Sequence, residues 1–130
     1  MKKLLIVFII LPFISIAQID NCIITSHANH LYEWDYNDEE IRKYDDHKES
    51  ITIEVYENYY NIEIDNMSQK VNWYYDSDTD EGNPIYFNQY YSKIVFNRIM
   101  NEIFIYSDYD REQEAYTNIL VLSELTIKNK

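Results

Sequence analysis

Three aspartates alternate along Asp76-Ser-Asp78-Thr-Asp80-Glu81-Gly82. A hard cation such as Ca2+ selects this kind of spacing, because it needs six or more oxygen ligands from a short stretch of chain. Asp76, Asp78 and Asp80 are therefore the candidate calcium ligands. A second acidic set, Glu54, Glu63 and Asp65, lies on segments that alternate in the manner of a β-hairpin, with Glu54 expected directly across from Glu63. Carboxylates facing each other across strands repel by up to about 1 kcal/mol, which water, a cation or a basic partner relieves. Paired carboxylates also hydrolyse glycosides, but that chemistry needs a cleft, which an exposed sheet face does not supply. Tyr56 and Tyr74 are expected on the same outer face, near Asn61 and Asn72, as a polar-aromatic surface suited to stacking and hydrogen bonding.

The aspartate loop begins as the Ca2+ loop of EF-hands does, then departs from it. Glycine belongs at the sixth place and Gly82 is seventh, and Phe87 stands where the closing glutamate belongs. No cofactor is expected, with Ca2+ as the alternative. Cys22, His27, His30 and His47 match no zinc spacing, because strand residues three apart point to opposite faces. Ser, His and Asp are all present, but nothing in the order of the chain brings them together. Trp73 is expected in the core and Trp34 is open to either role. No catalytic residue is assigned, and the chain is expected not to be an enzyme.

The elements that must carry these residues are strands. Ile51, Ile53 and Val55 alternate with polar residues, and the return segment places Ile62 and Ile64 on the same side. Pairing Val55 with Ile62 and Ile53 with Ile64 keeps the apolar set together. A third strand would add Val71, Trp73 and Tyr75 opposite Ile64, Ile62 and Tyr60. Farther on, Ile94 and Phe96 match Ile105 and Ile103 around Arg98-Ile99-Met100-Asn101, with Val95 opposite Phe104 and Lys93 opposite Tyr106. Both faces of that hairpin are apolar and call for cover. Tyr116 to Ile127 is β-branched and reads as a strand, with a buried helix as the alternative. Ile23 to Trp34 reads as a strand, while Asn37 to Tyr44 fits either a short helix capped by Asn37 or Asp38 or a charged loop. The fold class expected is all-β, an antiparallel meander forming a sandwich or small barrel of about 6–8 strands.

The chain opens with two lysines, an apolar run from Leu4 to Leu11, and small residues at Ser15 and Ala17. This is the pattern of a helical secretory signal over residues 1–17, cleaved after Ala17. The run is too short to span a bilayer, which takes about 20 apolar residues, so no membrane insertion of the mature chain is expected. One β-rich domain over residues 18–130 remains, secreted or periplasmic. Cys22 is its lone cysteine, so the core is expected to hold without an internal disulfide.

Composition narrows function further. The full chain carries 11 basic and 23 acidic residues, and losing Lys2 and Lys3 leaves nine against 23, a net charge of −14. Such a field repels nucleic acid and anionic lipid and attracts cations and basic proteins. A single glycine rules out phosphate-cradling loops, dinucleotide fingerprints and nucleophile elbows, all of which need glycine for close backbone approach. The expected role is non-catalytic binding of a basic protein through the sheet face of Glu54, Glu63 and Asp65. The alternatives are a lipocalin-like or sandwich binder of a small molecule or carbohydrate, and a cell-envelope structural protein whose second hairpin is covered by a partner.

Overall fold

Alternate residues turn inward on strand after strand, and eight of the strands close into one antiparallel barrel. The computed structural model describes residues 21–47 and 50–129; the expected signal segment, residues 1–17, lies outside them. The strands are β1 (Cys22–Asp35), β2 (Glu40–His47), β3 (Ile51–Val55), β4 (Tyr59–Ile64), β5 (Met67–Asp78), β6 (Pro84–Asn88), β7 (Lys93–Asn97), β8 (Glu102–Asp110) and β9 (Ala115–Asn129). There is no helix among the described residues. Neighbours from β3 to β9 follow chain order, and β9 pairs back onto β1 from Cys22 to Glu33 to close the barrel.

The ninth strand, β2, stands outside that closure. The first half of β1, Cys22 to Ser26, pairs with β3, and the second half, Asn29 to Asp35, pairs with β2 instead. The sheet therefore forks at Ser26–Asn29, where three groups meet: the Ser26 hydroxyl lies 2.9 Å from the Ser123 carbonyl, 3.2 Å from that of Ala28, and against Asn29 Oδ1. Ser26 and Asn29 are almost fully buried, and these contacts are what makes burial of their polar atoms tolerable.

An eight-stranded barrel is just wide enough for its own side chains to fill. Here Tyr60, Trp73, Tyr86 and Phe96 do so. Trp73 stacks on Tyr86 with centroids 4.1 Å apart and meets Tyr60 edge-on at 4.9 Å. The Trp73 indole N–H donates to the Tyr56 carbonyl at 3.0 Å, so the one polar atom of the ring is satisfied. The void bounded by Tyr60, Trp73, Phe96, Ile53, Ile94, Ile103 and Ile105 is only about 10 Å3. That is the volume of a single probe sphere, and a ligand chamber has no room at this level of the barrel.

Registers follow the expected faces but not always the expected pairs. The β7–β8 pairs are those the alternation predicts, Ile94 with Ile105, Val95 with Phe104, Phe96 with Ile103 and Lys93 with Tyr106. In the first hairpin Val55 pairs with Tyr60 and Ile53 with Ile62, two residues from the expected register. Between β4 and β5 the shift is four, with Tyr60 opposite Val71 and Ile64 opposite Met67. Even-numbered shifts keep every apolar residue on its face, which is why patterning alone does not detect them. The turn sets the pairing: Asp65 and Asn66 both have positive φ, 52° and 67°, as a two-residue type I′ hairpin requires.

Three other hairpins share one loop design. Asp35, Asn97 and Asp110 each accept a hydrogen bond from a backbone N–H two or three residues on. Four residues after each comes a left-handed residue, Glu39, Asn101 and Glu114. Asn37 to Tyr44 is therefore a hairpin turn running into β2, not a helix. The side chain that caps it is Asp35, two residues before the expected Asn37.

Candidate binding surfaces

The fork in the sheet leaves the outer faces of β1, β2, β8 and β9 as a groove of about 460 Å3. Parity explains its lining. Leu120, Leu122, Ile103 and Ile105 turn into the barrel, so Ile119, Val121, Phe104 and Tyr106 must turn out. This is the second apolar face that calls for cover, and it forms the floor of the groove, with Tyr32 beside it. Ile41 and Lys43 of β2 line one side and Met100 of the β7–β8 turn lines another. Lys93 lies 5.7 Å from the Tyr106 ring, a cation–π contact on the outer surface.

Polar groups at the groove are tied to one another. His30 Nδ1 lies 2.7 Å from Asp46 Oδ1, and Lys43 Nζ reaches the same oxygen at 2.9 Å. The His30 and Lys43 contacts hold the Asp46 carboxyl below the ordinary aspartate range, and Asp46 in turn raises Lys43. The Ser123 hydroxyl donates to Glu102 at 2.7 Å. Burial raises the Tyr106 and Tyr116 phenols, keeping both rings neutral at physiological pH.

Beyond the groove the β1–β2 and β8–β9 hairpins carry the acids. Tyr32 is three residues before Asp35 and Tyr106 four before Asp110, so the groove runs up to both tips. A chain of rings, Phe104, Tyr106, Tyr116 and Tyr109, links floor to tip with centroid spacings of 6.2, 5.7 and 5.1 Å. The tips carry Asp35, Asp38, Glu39 and Glu40 on one hairpin and Asp108, Asp110, Glu112 and Glu114 on the other. Arg42 and Arg111 are the arginines beside these eight carboxylates, leaving six net negative charges; Arg42 contacts Asp35, Asp38 and Glu40.

A hydrogen bond joins the tips: the Tyr36 hydroxyl donates to Asp110 Oδ2 at 3.0 Å. The Gln113 N–H, and after it the Tyr36 hydroxyl, lowers the Asp110 pKa, while the bond to Asp110 raises that of Tyr36. The signs define a pH window. A depressed carboxyl pKa stabilises above its unfolded value, about 4, and that contribution is lost as pH falls through the folded value. A raised phenol pKa stabilises below its unfolded value, about 10, and that contribution is lost as pH rises through the folded value. The tips are expected to stay joined between those limits and to part outside them. An NMR titration of the Gln113 amide checks this, with Tyr36→Phe removing the alkaline change and leaving the acid one. Identical alkaline titrations of the two proteins would contradict the link.

The other predicted residues are dispersed. Glu54 stands opposite Asn61 and Glu63 opposite Thr52, so the expected Glu54–Glu63 pair does not form. The two-residue register shift is the cause. Glu54 instead accepts the Tyr56 hydroxyl at 3.0 Å, and Tyr56 stacks on Tyr59 at 4.5 Å. Glu63 is exposed, and Asp65 sits in the type I′ turn. Asp76 accepts the Ser77 hydroxyl and Asp78 the Tyr75 hydroxyl, each at 2.8 Å, while Asp80 lies in the following turn. Among the described residues no group of three or more His, Cys, Asp or Glu side chains is gathered for a metal ion. Gly82, at φ +84°, closes that turn, and its carbonyl accepts from Arg98 at 3.1 Å. Cys22 is buried in the barrel, far in role from His27, which contacts Thr126, and His30. Trp34 is half-buried opposite Ile41.

Tyr74 is the exception to this dispersal. It pairs with Phe87 across β5 and β6 and, with Asn72, lines a second concavity of about 330 Å3. The hairpin tips are not legible in the sequence, because their acids belong to two segments far apart in the chain that only the β1–β9 pairing brings together. Comparison with known protein families, curated proteins and solved structures finds no match to the chain.

Proposed function

We propose that this chain is an exported, non-catalytic binding domain whose partner is a basic protein, met at the paired hairpin tips. The observation that carries this reading is the placement of six net negative charges at the mouth of an apolar, aromatic groove. Opposite charge steers a basic partner to the tips and accelerates encounter, while apolar side chains entering the groove supply residence time. Glu54 on β3, Glu63 on β4 and Asp65 in the turn after it add to the same field. The His30–Asp46 pair shares its carboxylate with Lys43, which favours a structural tie over acid–base work.

The test is capture from a cell-envelope extract by the mature chain at low and high salt. Basic proteins are expected to be retained at low salt and released at high salt. A variant combining Asp38→Asn, Glu39→Gln, Glu112→Gln and Glu114→Gln is expected to slow association by about tenfold or more. These side chains are exposed, so folding is not at stake. Retention that ignores both salt and the four substitutions would end this reading.

A further inference from the structure

A quarter of the residues in this chain are charged, yet none of them lines the concavity that Tyr74 and Asn72 share. It lies on the outer face of β5 and β6, two strands around the barrel from the groove floor on β8. Tyr74, Phe87 and Tyr91 bring rings to it, and Asn72, Asn88 and Gln89 bring amides. Trp73 also borders it, from the core side.

Its most exposed ring is held out at a conformational cost. Tyr91 is 87% exposed and has φ +63°. Among the described residues five of the nine non-glycine residues at positive φ are Asn or Asp, which tolerate it, and Tyr91 is the one aromatic. A buried amide enforces the turn. Asn88, 7% exposed, accepts from the Tyr90 N–H at 2.9 Å and the Ser92 N–H at 3.0 Å, and its carbonyl accepts from the Tyr91 N–H at 3.0 Å. The Asn88 amide itself points back to the Tyr60 hydroxyl, 3.2 Å away inside the barrel. Gln89 is fixed as well, since its side-chain oxygen accepts from the Asn72 N–H at 2.8 Å. Gln89, Asn72, Tyr74 and Tyr91 are all exposed where they line the concavity.

We propose that this concavity is a carbohydrate-binding site that takes a neutral glycan. Sugar rings present apolar C–H faces that stack on aromatic rings, and hydroxyls that exchange hydrogen bonds with amides and phenols. The uncharged lining offers an anion no counter-charge and a cation no carboxylate, so neither sign of ligand charge is rewarded there. Prefixed rings and amides also reduce the entropy lost on binding. The site is separate from the acidic tips, so its binding is expected to be independent of salt.

Isothermal titration of the mature chain with three neutral probes tests the site: the hexaoses of β-1,4-linked glucose, α-1,4-linked glucose and β-1,4-linked N-acetylglucosamine. Saturable binding of at least one is expected, unchanged by salt and weakened about tenfold by Tyr91→Ala. Tyr74→Ala should weaken it as well, and the thermal midpoints of both variants report that the fold is intact. No saturable binding of any probe at millimolar concentration would overturn the proposal. So would binding that neither substitution weakens.

Discussion

Trp73→Ala is expected to lower stability by about 3–5 kcal/mol, the range for removing a large buried aromatic from a packed core. A domain of this size is commonly stable by about 5–15 kcal/mol, so the variant should be marginally folded at best. Trp73 is 5% exposed, stacks on Tyr86, and meets Tyr60 and Phe96 edge-on. Its loss opens a cavity where the void beside the ring is now only about 10 Å3. The Tyr56 carbonyl also loses its indole donor. Urea denaturation followed by circular dichroism measures the cost. Trp73→Phe is expected to keep most of the packing and lose the hydrogen bond, about 1 kcal/mol. A small midpoint shift for Trp73→Ala would show that the aromatic cluster does not hold the barrel.

Asn88→Ala is expected to cost about 2–4 kcal/mol, an unusual amount for a residue at a strand end. Two backbone N–H groups lose their acceptor, and the Tyr60 hydroxyl loses its amide partner. Tyr60 and Ser92 are buried, so water replaces these bonds poorly. The left-handed Tyr91 backbone then has less to hold it, and the turn from Gln89 to Ser92 should loosen. Thermal denaturation reads the first effect, and amide hydrogen exchange at Tyr90 and Ser92 reads the second. Unchanged exchange at both amides would assign the turn to its neighbours instead of to Asn88.

Much of this barrel is legible one segment at a time. The faces of Ile51, Ile53, Val55, Ile62, Ile64, Val71 and Trp73 follow from period-two alternation, and all turn inward or pack against the core. The β7–β8 register is legible too, because residues on both faces constrain the same pairing. The β3–β4 and β4–β5 registers are not, since shifts of two and four preserve the faces and only the turn chooses among them. Asp65-Asn66 carries that choice without the glycine that usually announces it. β2, with the sequence Glu-Ile-Arg-Lys-Tyr-Asp-Asp-His, lacks strand alternation because it serves an edge, where charge discourages further pairing. Its preceding turn imitates a helix start for a plain reason. An aspartate accepting N–H groups two and three residues on is the chemistry of both.

The candidate surfaces divide in the same way. Tyr74 with Asn72 is readable as a polar-aromatic patch from parity alone, but Phe87, Gln89 and Tyr91 join it only through the β5–β6 pairing and the turn that Asn88 builds. The groove requires still more distant contacts, since β1 must leave β3, take up β2, and pair with β9 nearly a hundred residues away. By itself the sequence determined strand character, the inward face of most strands, a large negative charge and the exclusion of glycine-dependent sites. Each of these depends on neighbours within a few positions or on composition. Tertiary structure alone decided barrel closure, the fork in β1, the meeting of the acidic tips and the two concavities. Those depend on which strands pair across the chain, and pairing free energy is distributed over whole edges, where no single residue pattern records it.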